Sequence, residues 1–287
     1  MKPALFTYRR PDSVGQALDW LRSDDAKVLA GGQSLLPMMN LRLARPRTLV
    51  DLGALGELER TFEDVDSVLV GALVRHRTIE TAPVFARRVP LLAAAAAHIG
   101  HVAIRNRGTL GGTLAHADPS AELPLIAALL EATIYLDSYE RGRREVPASE
   151  FFTGYFTTQM EPDEAITWIR VPARDPGEGW GFVEFARRHG DFALAGAAVT
   201  LRLDGAGRIA ALRAGALAAG DVPQVLPEPA GLAGTQASPD VWAELAAMWS
   251  QALRPAHDQE YARALAAVAL RRALAQAHGR ALPQEEQ

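Results

Sequence analysis

Two glycine pairs keep company that could hold an anion. In "VLAGGQSLLPMMN", Gly31 and Gly32 end a short apolar run and are followed by Gln33 and Ser34. In "GTLGGT", Gly111 and Gly112 stand between Thr109 and Thr113. A glycine turn frees backbone N–H groups and offers no side chain to hold a phosphate away, and neighbouring hydroxyls add donors. A pyrophosphate has more oxygens than one small nest satisfies, so two facing loops would clamp it from both sides. Neither pair belongs to a GxxxxGK[ST] loop or to a GxGxxG turn after a strand. Taken singly, each is more simply a tight turn.

Other polar groupings are weaker. His98 and His101 have helical spacing, but no cysteine or carboxylate set completes a metal site, and they read as structural histidines. Ser120, His116 and Asp118 lack a nucleophile elbow, so no serine triad is assigned. His116 and Asp118 lie inside the second loop, where a loop hydrogen bond and a cofactor contact are equally open readings. Arg105 and Arg107 flank Asn106 beside the same loop. They read first as structural or solvated arginines, with a cofactor contact or a docking contact as alternatives. The "RGRR" run at 141–144 reads as a solvated turn, and Met38-Met39 as core packing. No catalytic acid–base set and no metal-ligating set is assigned.

Composition narrows the classes. The chain has 287 residues, 48% hydrophobic and 22% charged, with a net charge of −4. Length alone predicts two or three domains. Without a basic excess, a phosphate-backbone role on nucleic acid is disfavoured. No apolar run has transmembrane length, and "MKPALFTYRRPDS" carries neither an apolar signal core nor a cleavage site, so the expected location is the cytoplasm. There is no cysteine, which excludes disulfides, thiolate zinc and cysteine-ligated clusters from this sequence. Redox chemistry would then need an organic cofactor here and any cluster on another chain.

The elements that must position the glycines follow from pattern and punctuation. Asp12 or Ser13 caps a helix with Val14, Ala17, Leu18 and Leu21 on its apolar side. Lys27–Ala30 predicts a short strand running into the first glycine pair, Leu35–Leu43 a short helix, and Thr48–Asp51 another strand. Ser67–Val74 reads as a strand pair or a strand bulged at Gly71. Pro83–His98 reads as a helix that restarts at Pro90, and Glu122–Glu131 as a helix. Ala132–Asp137 and "AITWIRVP" read as strands. "ARDPGEG", residues 173–179, is the best domain boundary. Beyond it come strands, with a turn at Asp204–Gly207, and then two helices, Pro239–Leu253 and Gln259–Ala277. The last has Tyr261, Leu265, Val268, Ala269 and Leu274 near one stripe. The class is α+β.

In combination these motifs resemble the FAD-binding medium subunit of the molybdenum hydroxylases, the carbon monoxide dehydrogenase and xanthine dehydrogenase family. "FTYRRPDSVGQALDWL", "LAGGQSLLPMMNLRLARPRTLVDL", "IRNRGTLGGTLAHADPSAELP", "FFTGYFTT", "FVEFARRHGDFAL" and "EYARALAAVALRRAL" resemble successive landmarks of that family, in order, over nearly the whole chain. The resemblance implies a two-lobed FAD-binding domain of the vanillyl-alcohol oxidase (PCMH) type at 1–176, with lobes at about 1–56 and 57–176. A C-terminal antiparallel sheet with helices at 177–287 would follow. It implies that Ala30, Gly31, Gly32, Gln33, Ser34 and Leu35 hold the pyrophosphate, with Thr109, Gly111, Gly112 and Thr113 closing from the other side. Glu122 matches an acidic group that hydrogen-bonds the cofactor at a ribose or adenine edge. Ile99 and Ile166 match apolar cofactor contacts. Asp191-Phe192 falls near the isoalloxazine, where the family often has a tyrosine that Phe192 replaces without the hydroxyl. Arg187-Arg188-His189 would either stabilise an anionic reduced flavin or pair with a partner.

The function implied is electron transfer: one non-covalent FAD receives electrons from a partner's [2Fe-2S] cluster and delivers them to an external acceptor. The molybdenum cofactor would sit on a large partner chain and the iron–sulfur clusters on a small one, in a heterotrimer that dimerises. Two alternatives stand beside it. A free-standing FAD-dependent oxidoreductase of the same fold would need its own substrate site. A scaffold without flavin would have no use for both glycine loops.

Overall fold

Ser13 starts the first helix, Val14–Leu21, by accepting a hydrogen bond from the Gln16 N–H, and Ala17, Leu18 and Leu21 go to the interior. The computed structural model describes residues 2–23, 25–256 and 258–282. That helix connects Thr7–Arg9 to Ala26–Leu29, and the helix Leu35–Asn40 connects Ala26–Leu29 to Thr48–Asp51. The three strands are parallel, with Thr48–Asp51 in the middle, so all three carboxyl ends open on one edge of the sheet. The first glycine pair leaves the sheet at that edge.

A second, five-stranded antiparallel sheet follows, in the spatial order Thr61–Glu63, Ser67–Gly71, Glu164–Pro172, Thr133–Ser138, Gly142–Pro147. The helices His76–Thr81, Pro83–Arg88, Pro90–Ala96, Leu110–His116 and Glu122–Leu129 bury their apolar side chains in one core with this sheet. Pro83 and Pro90 each occupy a first helical turn, where no N–H is needed, so the proline-punctuated stretch becomes two helices. Glu122–Leu129 is buried along its whole length, which is why it carries no polar face. The expected solvated turn at 141–144 is corrected: Gly142–Pro147 is an edge strand. Arg143 forks onto Asp137 at 2.7 and 2.8 Å, and Arg144 forks onto the buried Glu164 at 2.7 and 2.8 Å. The run pairs antiparallel with Thr133–Ser138, so Asp137 lies six residues away across the hairpin and Glu164 twenty residues on.

The last third is a four-stranded antiparallel sheet, Gly179–Ala186, Ala193–Leu203, Ile209–Leu217 and Gln224–Leu226, carrying the helices Pro239–Ala252 and Gln259–Ala281. The expected stripe on the last helix is corrected in part: Ala269 and Leu274 are buried and Leu265 packs against the same core, but the line runs differently. Tyr261 is exposed, and the buried line is Ala262, Ala266, Ala269, Leu270, Ala273, Leu274 and Ala277. Alanines are favoured because the helix lies directly on backbone. A Cβ on Gly181 would stand 2.0 Å from the Ala273 carbonyl oxygen, and one on Gly179 1.9 Å from that of Ala277. The other face of the sheet is also covered, since Phe182, Ala193, Ala198 and Leu217 belong to the core of the five-stranded sheet. Among the described residues, no helix is long and apolar enough to cross a membrane.

Candidate functional site

The first glycine pair forms a nest with unused donors. Gly32 has φ +70°, a left-handed conformation that glycine adopts without strain. Leu35–Asn40 then begins without a side-chain cap, so Ser34 keeps its hydroxyl free at the exposed lip. Among the described residues, the consecutive N–H groups of Gly31, Gly32, Gln33, Ser34 and Leu35 find no hydrogen-bond acceptor. The Gln33 side chain does not use them either, since it donates its own amide to the Gly31 carbonyl at 3.1 Å. A run of free N–H groups beside a left-handed turn is an anion-binding concavity.

The second loop meets the first. A Cβ on Gly31 would stand 2.2 Å from the Arg107 carbonyl oxygen and 2.8 Å from Gly108 Cα, so the two loops are in backbone contact. Arg75 steadies that carbonyl with a 2.6 Å hydrogen bond. Within "GTLGGT" the glycines divide their duties. The Gly111 N–H donates to the Ala72 carbonyl at 2.9 Å, and a Cβ there would lie 2.6 Å from that of Ala72, so Gly111 docks the loop on the core. The Gly112 N–H is capped by Thr109 Oγ1 at 3.1 Å, which makes Thr109 the N-cap of Leu110–His116. The N–H groups of Leu110, Gly111, Gly112 and Thr113 are all spent within the protein, so the donor this loop retains is the Thr113 hydroxyl.

Thr113 is held by a residue that sequence reasoning missed. His76 Nε2 lies 2.8 Å from Thr113 Oγ1 and 3.0 Å from the Thr109 carbonyl. The carbonyl can only accept, so Nε2 carries the hydrogen. Burial is the main cause that lowers the ring's pKa to about 4; the hydrogen bond to Thr109 opposes it, and the positive charges of Arg105 and Arg75 reinforce it. The imidazole is neutral, and the Thr113 hydroxyl keeps its own hydrogen for a ligand. Nothing in "VRHRT" advertises this, because the partners lie 33 and 37 residues away.

Glu122 opens the helix after the second loop, 7% exposed. Burial, with the charge of Asp118 adding to it, pushes its carboxyl up to about 7 despite a hydrogen bond from its own backbone. Asp118 itself accepts from the Ser120 N–H at 2.8 Å, a local turn that leaves no serine triad. Arg105 is structural. It is buried, and it binds Glu80 at 2.8 Å and the carbonyls of Ile99 and Gly100 at 3.0 and 2.9 Å. It thereby shapes the turn that carries Ile99. Gly190, with φ +86°, backs onto this turn, since its Cβ would lie 2.9 Å from Gly100 and from His101. Ile99 and the exposed Phe192 therefore belong to one neighbourhood, where Arg187, Gly190, Asp191 and Phe192 line a surface hollow. Ile166 is not brought to that surface. It is 4% exposed in the core of the five-stranded sheet. Among the described residues, no group of three or more His, Cys, Asp or Glu is placed to hold a metal ion.

Comparisons with known proteins place the whole chain in a family. Residues 4–174 match the family model described as the FAD binding domain in molybdopterin dehydrogenase. Residues 180–277 match the CO dehydrogenase flavoprotein C-terminal domain. The chain is 46% identical over 202 residues to the nicotine 6-hydroxylase medium subunit of Paenarthrobacter nicotinovorans, covering 70% of each. It is 34% identical to the carbon monoxide dehydrogenase medium chain of Afipia carboxidovorans, over 98% of this chain and 99% of that one. Its structure is similar to that of a chain of carbon monoxide dehydrogenase from Hydrogenophaga pseudoflava, with TM-score 0.93, 37% identity, and 98% and 99% coverage. It is also similar to a chain of quinoline 2-oxidoreductase from Pseudomonas putida 86, with TM-score 0.93, 36% identity and the same coverage.

Proposed function

Because the chain belongs to the family of FAD-binding medium subunits of molybdenum hydroxylases, with an FAD-binding domain and an oxidoreductase's place in a complex, we propose that it passes electrons from a partner's [2Fe-2S] cluster through a non-covalent FAD to an external acceptor. The observation that carries the cofactor assignment is the run of unused N–H groups from Gly31 to Leu35, set against the second glycine loop. These residues fit a pyrophosphate. The backbone of residues 31–35 and the Ser34 hydroxyl hold one side, and the Thr113 hydroxyl, oriented by His76, the other. Ala30 and Leu35 bound the nest. Glu122, Ile99 and Phe192 stand along the path onward to the seam with the four-stranded sheet, and Ile166 acts from beneath, as core.

The flavin supplies the redox chemistry when bound, because it can take electrons singly and hold two. The protein's part is to bind, orient and shield it. Without cysteine, no thioether to the flavin can form in this chain. We read residues 1–176 as the FAD-binding domain, with lobes at about 1–56 and 57–176, and 177–287 as the C-terminal domain. The partners are a large molybdenum chain and a small iron–sulfur chain, in a dimer of heterotrimers in the cytoplasm. Substrate choice then belongs to the large chain.

The test is an absorbance spectrum after incubation with FAD and desalting. Retained flavin bands, with FAD released on denaturation, are expected. A colourless protein that also leaves FAD fluorescence unquenched, alone and when co-expressed with such partner chains, overturns the reading.

A further inference from the structure

Two acids are buried on opposite sides of the seam between the FAD-binding region and the four-stranded sheet. Glu122 comes from the first turn of Glu122–Leu129, and Glu184 from the strand Gly179–Ala186. The Glu184 side chain is only 4% exposed, and its Oε2 is buried without a hydrogen-bond partner among the described residues. The nearest group able to carry positive charge is His98, whose Nδ1 lies 3.8 Å from Oε2. Burial, then the charges of His189 and Arg105, lower the proton affinity of that ring, so it offers no fixed cation. Asp118 adds a further negative charge on the Glu122 side. Among the described residues, no Lys or Arg contributes to the balance at either acid.

A buried carboxylate without a partner is costly, and two at one seam are costlier. Native folds keep such a group where something else completes its hydrogen bonds. Burial, with the charge of Glu122 second, pushes Glu184 up to about 8, so near neutral pH it is a carboxylic acid with one hydrogen to donate and oxygens to accept. The nucleobase-like rings of FAD, the pyrimidine edge of the flavin and the adenine, offer the complementary pattern of acceptors beside N–H donors.

We propose that Glu122 and Glu184 form a two-carboxyl clasp on a hydrogen-bonding ring edge of the bound FAD, with Glu184 donating its carboxyl hydrogen. Glu184 thereby joins the site from the second domain and ties cofactor binding to closure of the seam. The clasp rests on the assignment of this chain as a flavoprotein.

The experiment measures FAD affinity of the full chain by fluorescence quenching between pH 6 and 9.5, for wild type, Glu184→Gln, Glu184→Ala and Glu122→Gln. Wild-type affinity falls above pH 8, approaching about tenfold per pH unit as the one donated hydrogen is lost. Glu184→Gln keeps a donor in the same shape and loses that fall. Glu184→Ala weakens binding about tenfold or more across the range. ADP as a competing probe locates the edge. Dependence of ADP affinity on Glu184 assigns the clasp to adenine, and dependence seen with FAD alone assigns it to the flavin ring. Wild-type FAD binding with superimposable profiles for all Glu184 variants overturns the clasp and leaves the flavin reading standing. Failure of wild type to bind FAD at any pH overturns both.

Discussion

Gly31 and Arg107 touch backbone to backbone across the two loops: a Cβ on the glycine would stand 2.2 Å from the arginine's carbonyl oxygen. This contact turns two separate glycine turns into one clamp. Arg75, hydrogen-bonded to the same carbonyl, fixes its position.

Substituting Gly31 with alanine therefore has an effect a turn glycine would not have. The methyl group must push the 107–108 backbone away, at a cost of about 1–3 kcal/mol in stability. FAD retention should be lost. Gly32→Val forces a β-branched residue into φ +70°, costing about 1–2 kcal/mol locally, and should also abolish FAD retention with the fold intact. Gly111→Val acts differently, because its side chain enters the core at Ala72. It should lower the melting temperature as well as the flavin content. Desalted flavin-to-protein ratios, read beside thermal melts, check all three. Normal flavin content in the first two would remove the clamp.

His76 makes acid stability depend on the second loop. Its folded pKa, about 4, lies below the ordinary 6.5, so between those values the unfolded chain binds more protons. The contribution is fully present above pH 6.5 and is lost as pH falls toward 4. His76→Gln should flatten this segment of the stability curve, measured as the urea midpoint from pH 4 to 7, and should weaken FAD binding through Thr113. An unchanged slope would show that the ring is not buried neutral.

Glu122 has the opposite sign. Its folded pKa, about 7, lies above the ordinary 4.5, so the folded chain holds the extra proton in that window. Its contribution to the stability of the FAD-free chain should fall as pH rises from 4.5 to 7, against that of His76 and alongside that of Glu184, and the difference between wild type and Glu122→Gln should shrink over that window. Glu122→Ala should cost FAD binding about 1–3 kcal/mol for one lost buried partner. Equilibrium unfolding and flavin titration at matched pH read the two effects separately.

Gly181 tests the C-terminal packing. Gly181→Ala places a methyl group 2.0 Å from the Ala273 carbonyl oxygen, and rigid helix and rigid strand must separate. A loss of about 1–3 kcal/mol is expected in thermal or urea unfolding. Gly205, with nothing within reach of its Cβ, is the control position, and Gly205→Ala should be nearly silent.

Where sequence and structure part, the missing information was long-range. "RGRR" is locally a turn-like basic run. It becomes an edge strand by pairing with Thr133–Ser138, where Arg143 meets Asp137 across the hairpin and Arg144 reaches Glu164 one strand further in. Tyr261 is the largest side chain on the last helix, yet it stays outside while alanines, with Leu270 and Leu274, face inward, because the strand beneath presents glycines. The sequence marked Gly111 as a phosphate contact like Gly31, and only the fold separates a glycine that docks on Ala72 from one that borders a nest.

The sequence by itself determined the α+β class, the family and the two glycine loops, because these are local patterns: periodicity, turn chemistry and motif spacing along the chain. Only the tertiary structure decided which N–H groups stay unspent, that His76 orients Thr113, and that Glu184 lies unpartnered at the same domain seam as Glu122. Donors, acceptors and burial are settled by what the chain brings near from elsewhere. A hydrogen bond between residues 37 positions apart leaves no trace in either neighbourhood.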